Sequence, residues 1–287
     1  METSLKKGAV RLLHRLSPAT LLWLARRYPY ERGRWPALKA LLDSEAGRSW
    51  LGSLEEPTRT RRGFGVFTLG GDLTSDWIKL FGQHEVATEK FIADHARPGS
   101  VMLDIGANVG YFSLLAAHLG ASAVAFEPQP AIAELLRKSA AANGFEARVR
   151  VEEIALSDSS TTMGMTACPG NTGHSQLVGA DAPGALPFTV KVEPLDEWIS
   201  RNPTGPVSVC KIDTEGAELN VITGMKHLLE RDGPALAVEC VEEFQAEFGS
   251  SSPTVAGLLA NSGYMEVTSR YVTHGDRNRY FTRRPPA

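Results

Sequence analysis

After residue 100 the apolar positions form short unbroken runs, separated by turn residues and by stretches with helical spacing. The runs predict strands at Ser100–Ile105, Ala123–Phe126, Val149–Ala155, Val207–Ile212 and Ala235–Glu239. The spacing between them predicts helices at Tyr111–Leu119, Ala131–Ala142, Leu219–Glu230 and Thr254–Ser262. Gly120, Asn143-Gly144 and Gly233-Pro234 supply the stop signals. Apolar strands alternating with helices imply a parallel sheet with helices on both faces. Two last runs, Tyr264–Arg270 and Asn278–Arg283, predict an antiparallel pair. Upstream, Phe64–Leu69 reads as a strand, Gly70-Gly-Asp72 as a turn, and 76–81 and 85–95 as helices. Residues 1–60 read as helices broken by Pro18, Pro29, Pro36 and Pro57.

One segment breaks this rhythm. Residues 159–190 hold five glycines and three prolines, and so long a connection in a compact domain usually serves a function. It lies between the third and fourth strands, which suggests a flap over a substrate; a surface hairpin is the plainer alternative. The chain has 287 residues, 43% hydrophobic and 22% charged, with a net charge of −3. That size allows one large α/β domain plus an extension, and the charge gives no field favouring nucleic acid. Cys168, Cys210 and Cys240 are too few and too scattered for a disulfide framework or a zinc cluster, which fits a reducing, cytoplasmic setting. Near the N-terminus, His14, Arg15 and Pro18 interrupt the apolar stretch, so neither a signal peptide nor a membrane span is expected.

The candidate chemistry sits at strand ends. Asp104, Glu127, Asp213 and Glu239 each close an apolar run, at the sheet edge where open α/β folds hold ligands. Val101 to Gly110 and then Ala123 to Glu127 form a strand, Gly turn, helix, strand and acid, the arrangement that holds an adenosine-containing cofactor. A dinucleotide fingerprint carries Gly where this chain has Asp104. A carboxylate there repels a pyrophosphate and attracts a cation, which points to S-adenosylmethionine and away from NAD. Asp104 would face the methionine ammonium, Gly106 and Gly110 would let the cofactor approach, and Glu127 would accept both ribose hydroxyls. Asn108 is open between a cofactor contact and a helix cap. Asp158, after the third strand, is open between the adenine side of the site and a simple turn; Glu153 shares the first of these roles.

In Lys211-Ile-Asp-Thr-Glu-Gly-Ala-Glu218, Asp213 and Glu215 would lie beside the methyl group. There they would orient or deprotonate a hydroxyl, or ligate a divalent cation; alternatively they cap the following helix. No metal ligand is assigned. Lys211 would pair with Asp213 or Glu239. His174, inside the flap, is a further candidate base, and His84 a candidate pocket residue.

Leu103-Asp-Ile-Gly-Ala-Asn-Val-Gly-Tyr-Phe-Ser113, Ala125-Phe-Glu-Pro128, Ala155-Leu-Ser-Asp158, Asn171-Thr-Gly173 and the 211–218 segment together resemble the FkbM family of S-adenosylmethionine-dependent methyltransferases. Phe81-Gly-Gln-His-Glu85 is similar to the family's short segment before the first strand. The resemblance covers about residues 80–240 and implies a Rossmann-like class I methyltransferase sheet and, usually, O-methylation of polyketide or sugar hydroxyls. It leaves residues 1–75 as an N-terminal helical extension, a substrate or homodimer surface, and 76–287 as the methyltransferase domain. Methylation of nitrogen or carbon in a small molecule stays open. An NAD(P) oxidoreductase conflicts with Asp104, a nucleic-acid methyltransferase with the absence of its Pro-Pro-Tyr or Pro-Cys motifs, and a non-catalytic cofactor-fold module with the intact set of acids and glycines.

Overall fold

The computed structural model describes residues 20, 57–166, 171, 175–272 and 277–283. Of the helices expected in 1–60, all but Thr20 and residues 57–60 lie outside the described residues, as do the flap residue His174 and Cys168; residues 57–60 hold a strand in place of the expected helix. The chain divides into two compact units, Met1–His84 with Pro169–Asn171, and Glu85–Cys168 with Thr172–Ala287.

In the first unit, β1 (Thr58–Arg59) and β2 (Gly65–Val66) form a small antiparallel ladder. It is much shorter than the expected run 64–69, because Gly63 at φ 101° and the Phe64 carbonyl, which accepts from Thr60, close the turn at once. Helix α1 (Leu73–Phe81) starts where Asp72 accepts from the Ser75 N–H and stops at left-handed Gly82.

The second unit is built on a seven-stranded sheet. Its strands are β3 (Val101–Ile105), β4 (Ser122–Phe126), β5 (Val149–Glu152), β10 (Val207–Ile212), β11 (Ala235–Glu239), β12 (Tyr264–Glu266) and β13 (Asn278–Arg283), in the order β12-β13-β11-β10-β3-β4-β5. Strand β13 runs antiparallel to both of its neighbours, and the other pairings are parallel. All five residues of β3 and all five of β11 are buried, as strands covered on both faces must be. The helices are α2 (Val86–His95), α3 (Tyr111–His118), α4 (Pro130–Ala142), α5 (Leu195–Arg201), α6 (Glu218–Thr223), α7 (Lys226–Arg231), α8 (Glu242–Glu247) and α9 (Ser252–Asn261). Leu103, Ile105, Phe126, Trp198, Ile212, Ile222, Leu236 and Phe281 belong to the main apolar core. Among the described residues no helix is long and apolar enough to cross a membrane, and Cys210 and Cys240 are free thiols.

Three expected elements differ. The run 149–155 is two strands: β5 ends at Glu152, and β6 (Ala155–Ser157) joins a second sheet. That sheet, β6-β9-β7-β8, also contains β7 (Thr161–Met165), β8 (Leu177–Val178) and β9 (Val190–Pro194). The Gly/Pro-rich segment is therefore largely a hairpin, with its own apolar cluster of Ala155, Met165, Val190 and Val192. The expected helix 219–230 is α6 and α7, parted at Gly224, where a β-carbon would stand 2.0 Å from the Ser157 carbonyl oxygen. The expected last strand pair keeps its antiparallel pairing, but the first member shortens to β12 and turns into a 3-10 helix at Thr268–Arg270.

Candidate active site

Strand β3 pairs with β4 on one side and β10 on the other, and the chain winds outward in both directions from that point. Ligands of open parallel sheets bind where the order reverses, beyond the C-terminal strand ends. Register decides which residues meet there. Asp104 lies opposite Lys211, and Ile212 lies opposite Val238, so the next residues, Asp213 and Glu239, emerge side by side. Asp104, Glu127, Asp213, Glu215 and Glu239 thus share one edge, and all but Asp213 are buried.

Asp104 is fully buried, and its Oδ2 accepts from the Ser113 N–H at 2.9 Å and the Ser113 hydroxyl at 2.7 Å. Ser113 is in the first turn of α3, whose leading N–H groups have no partner within the helix, so Asp104 caps that helix from the strand. Its Oδ1 is buried and has no hydrogen-bond partner. Burial pushes the carboxyl up, against the pull of Lys211 and Ser113.

Glu127 is 4% exposed. Its Oε2 accepts from the Asn108 N–H and its Oε1 from the Gln129 N–H, both at 2.9 Å, so the carboxylate plane is set by the two loops that leave β3 and β4. Asn108 sits at φ 50°, and its own side-chain oxygen accepts from the Val109 N–H at 2.7 Å. Gly110, not Asn108, occupies the N-cap position of α3. Asp158 is exposed in a bend after β6, with the Ser157 and Ser159 hydroxyls each 3.3 Å from its Oδ1.

Burial raises the Glu127 carboxyl from its ordinary 4.5 to about 7, although its two backbone donors pull the other way. Between these values the folded chain holds a proton that the unfolded chain has released. The associated stability is complete below pH 4.5 and is lost as the pH rises through about 7. Thermal melting of the ligand-free protein is therefore expected to fall across that window, and Glu127→Gln is expected to flatten the fall. An unchanged slope in the variant would assign the pH dependence elsewhere.

The glycines of the first turn serve the chain itself. A β-carbon on Gly106 (φ 77°) would stand 1.8 Å from the Asp213 carbonyl oxygen, and one on Gly110 (φ 81°) would stand 2.3 Å from the Leu136 side chain. Gly106 thus lets the loop after β3 lie against the loop after β10.

That second loop carries Asp213 and Glu215, with Glu218 at the start of the helix after it. Lys211 Nζ donates to Asp213 Oδ2 at 2.7 Å and lies 5.4 Å from the Phe112 ring centre. Burial alone would lower the ammonium's pKa, but Asp213, Asp104 and Glu85 reverse this and keep it charged. One oxygen each from Asp213, Glu215 and Glu239 lie within 4.8 Å of one another. Glu215 and Glu239 are both held far above the ordinary carboxylate range, first by burial and then by the charge of Asp213.

The N-cap of α6 is Ala217, with no side-chain cap hydrogen bond. Glu218 Oε1 accepts from the Thr214 and Gly216 N–H groups and from the Thr214 hydroxyl, so the loop amides are satisfied by Glu218. Gln245 Nε2 donates to its other oxygen at 3.3 Å. Gly216, at φ 112°, lets the loop pass the Phe244 carbonyl, 2.4 Å from where a β-carbon would be. The second sheet also reaches this loop, through Gln176 Nε2 donating to the Glu215 carbonyl at 3.1 Å.

Glu85 is the site residue that received no role from sequence. It precedes α2, accepts from Asn278 Nδ2 at 3.1 Å, and acts electrostatically on Lys211 and Glu239. Its signal is conformational. Glu85 (φ 38°), Asn108 (φ 50°) and Glu215 (φ 54°) are the non-glycine residues with positive φ among those described, and all three belong to this edge. Backbone strain of this kind concentrates at functional sites.

The chain is similar to known methyltransferases. The Methyltransferase FkbM domain matches residues 104–266, from the first strand-end acid to β12. The 31-O-demethyl-FK506 methyltransferase FkbM of Streptomyces tacrolimicus is 28% identical over 229 residues, which cover 66% of this chain and 83% of the relative. Methyltransferase sdnD of Sordaria araneosa is 28% identical over 154 residues, 43% of this chain and 60% of the relative. The crystal structure of Methyltransferase FkbM from Methylobacillus flagellatus KT is 15% identical with a TM-score of 0.43, and the alignment covers 72% of this chain and 52% of that one. The domain match takes in more than half of the sequence and contains all five strand-edge acids from Asp104 to Glu239, so the chain belongs to the FkbM family of methyltransferases.

Proposed function

We propose that the chain is an S-adenosylmethionine-dependent O-methyltransferase acting in the cytoplasm on a hydroxyl of a small molecule of sugar or polyketide type. The carrying observation is the division of acids along the sheet edge: Asp104 and Glu127 lie on the β3–β4 side of the order reversal, and Asp213, Glu215 and Glu239 on the β10–β11 side. The residues present fit the cofactor. Asp104 keeps one buried oxygen without a partner, which suits a cationic ammonium or a water bound to it. Each Glu127 oxygen has one backbone donor and retains acceptor capacity for a ribose hydroxyl. Asp158 stands as an adenine-side candidate.

The bound cofactor would supply a methyl on a cationic sulfur that becomes neutral as the C–S bond breaks and the O–C bond forms. The protein aligns the acceptor oxygen and removes its proton as the new bond develops. Asp213, 21% exposed at its side chain, is the acid positioned to take that proton, with Glu215 beside it. His174 remains the flap's alternative. The name of the Streptomyces relative, a 31-O-demethyl-FK506 methyltransferase, supports oxygen as the acceptor atom.

Calorimetry with S-adenosylhomocysteine tests the cofactor half. Glu127→Ala is expected to weaken binding by about 1.5–3 kcal/mol, the range for hydrogen bonds to a charged group. Unchanged affinity would remove Glu127 from the site. The hairpin that reaches Glu215 through Gln176 is the flap of this proposal. Proteolysis within 159–190 is expected to slow when S-adenosylhomocysteine and acceptor are both present, and equal cleavage would make the hairpin passive.

A further inference from the structure

We propose that Asp213, Glu215 and Glu239 bind a hard divalent cation of the Mg²⁺ or Mn²⁺ type on the acceptor side of the site. The inference rests on the acceptor-side role argued for Asp213 and Glu215, and adds a ligand to it.

Geometry comes first. Asp213 and Glu239 are brought together by the parallel register of β10 and β11, and Glu215 is turned back to them by its left-handed backbone and the Gly216 bend. One oxygen from each lies within 4.8 Å of the others. Opposite ligands of an octahedral cation stand about 4.2 Å apart for Mg²⁺ and about 4.8 Å for Ca²⁺, twice the metal–oxygen distance. Oxygens no more than 4.8 Å apart are close to that span, so small side-chain adjustments let all three carboxylates face one ion.

The second observation concerns Glu215 alone. It is 7% exposed, and its Oε2 is buried without a hydrogen-bond partner. A desolvated carboxyl oxygen left open beside two more carboxyls is expensive unless a proton stays on the cluster or a cation replaces it. Its loop is stabilised by other groups: Glu218 takes the amide donors, and Gln176 binds the Glu215 carbonyl. No structural duty of the loop requires Glu215 to point inward.

The local charge balance points the same way. Lys211 is the ammonium within hydrogen-bond reach of the cluster, and it is engaged with Asp213 Oδ2 while Asp104 and Glu85 also act on it. Arg277 acts on Glu215 only through space. Among the described residues, Asp213, Glu215 and Glu239 thus have Lys211 in hydrogen-bond contact and Arg277 at longer range. The offered ligands are all carboxylate oxygens, with neither imidazole nor thiolate, which selects a hard ion over zinc or copper. Held there, the ion would bind the acceptor oxygen and ease loss of its proton.

Titration of the full chain with Mn²⁺ alone, followed by electron paramagnetic resonance without cofactor or acceptor, tests this directly. One bound Mn²⁺ per chain is expected. Glu215→Gln and Glu239→Gln should each weaken it by at least about 10–100-fold, the loss known for mere outer-shell partners. Binding of S-adenosylhomocysteine by the same variants serves as the folding control. No saturable Mn²⁺ binding, or binding indifferent to both substitutions in folded protein, overturns the proposal. A cluster that instead holds an amine of the acceptor would show no Mn²⁺ binding, and so overturns it too. The two proposals fail separately: methyl transfer at full rate in EDTA with no Mn²⁺ bound removes the metal alone, and Mn²⁺ binding that both substitutions weaken, in a protein that methylates no hydroxyl, keeps the metal site and removes O-methylation.

Discussion

Asp213→Asn is expected to lower methyl-transfer turnover by about 10²–10⁴-fold, the usual reach of positioned acid–base groups, while S-adenosylhomocysteine binding stays near normal. The substitution keeps the size and one acceptor oxygen but removes the charge and the basicity. Asp213 is the first residue beyond β10, opposite the end of β11, and its carboxylate meets Lys211, Glu215 and Glu239. It is the most solvent-accessible acid of that group, so an acceptor reaches it without displacing the core. Glu218 takes the Thr214 and Gly216 amides, so these two do not depend on Asp213. Glu215→Gln is expected to act in the same direction, since the two carboxylates share one site. Full turnover in a folded Asp213→Asn protein would end the catalytic assignment and leave Asp213 as the counter-ion of Lys211.

Gly106→Ala is expected to destabilise the protein by about 2–5 kcal/mol. An L-residue at left-handed φ costs about 1–2 kcal/mol, and overpacking a tight contact adds about 1–3 kcal/mol. The added carbon would sit 1.8 Å from the Asp213 carbonyl oxygen, and backbone cannot swing aside as the end of a side chain can. Relief requires the loop bearing Asp213 to move, so activity should fall further than the loss of folded protein explains. Gly99→Ala is the matched control: φ is 81° there, and nothing lies within 4 Å of the added carbon. It should show the conformational cost alone, about 1–2 kcal/mol. Equal melting temperatures for the two variants would show that the approach of the two loops is loose.

The difference between those two glycines shows how far a linear pattern reaches. Both are Gly after an apolar or polar boundary, and only the fold reveals that one faces solvent and the other a neighbouring carbonyl. Local physics made many elements legible. The runs at 207–212, 235–239 and 278–283 are strands with those bounds, because β propensity and flanking turn residues act over a few positions. The acids closing four apolar runs were legible as a sheet-edge set for the same reason.

Partner choice was not legible. The run 149–155 looks continuous, yet its halves pair with β4 and with β9 in different sheets, since apolar spacing does not say which strand lies alongside. Gly224 splits a helix because it crosses Ser157, a residue 67 positions earlier. Asp104 binds Ser113 of the helix that follows its strand, and Glu218 takes the amides of Thr214 and Gly216 in the loop ahead of its own helix. The convergence of Asp213, Glu215 and Glu239 depends on the β10–β11 register and on a left-handed residue, both set by packing across the sheet. Composition, strand ends and the cofactor-like turn are thus properties of short segments, whose energetics are local. Which acids meet, which are capped and which stay open are decided by contacts between segments far apart in the chain, where the burial of the shared core outweighs any local preference.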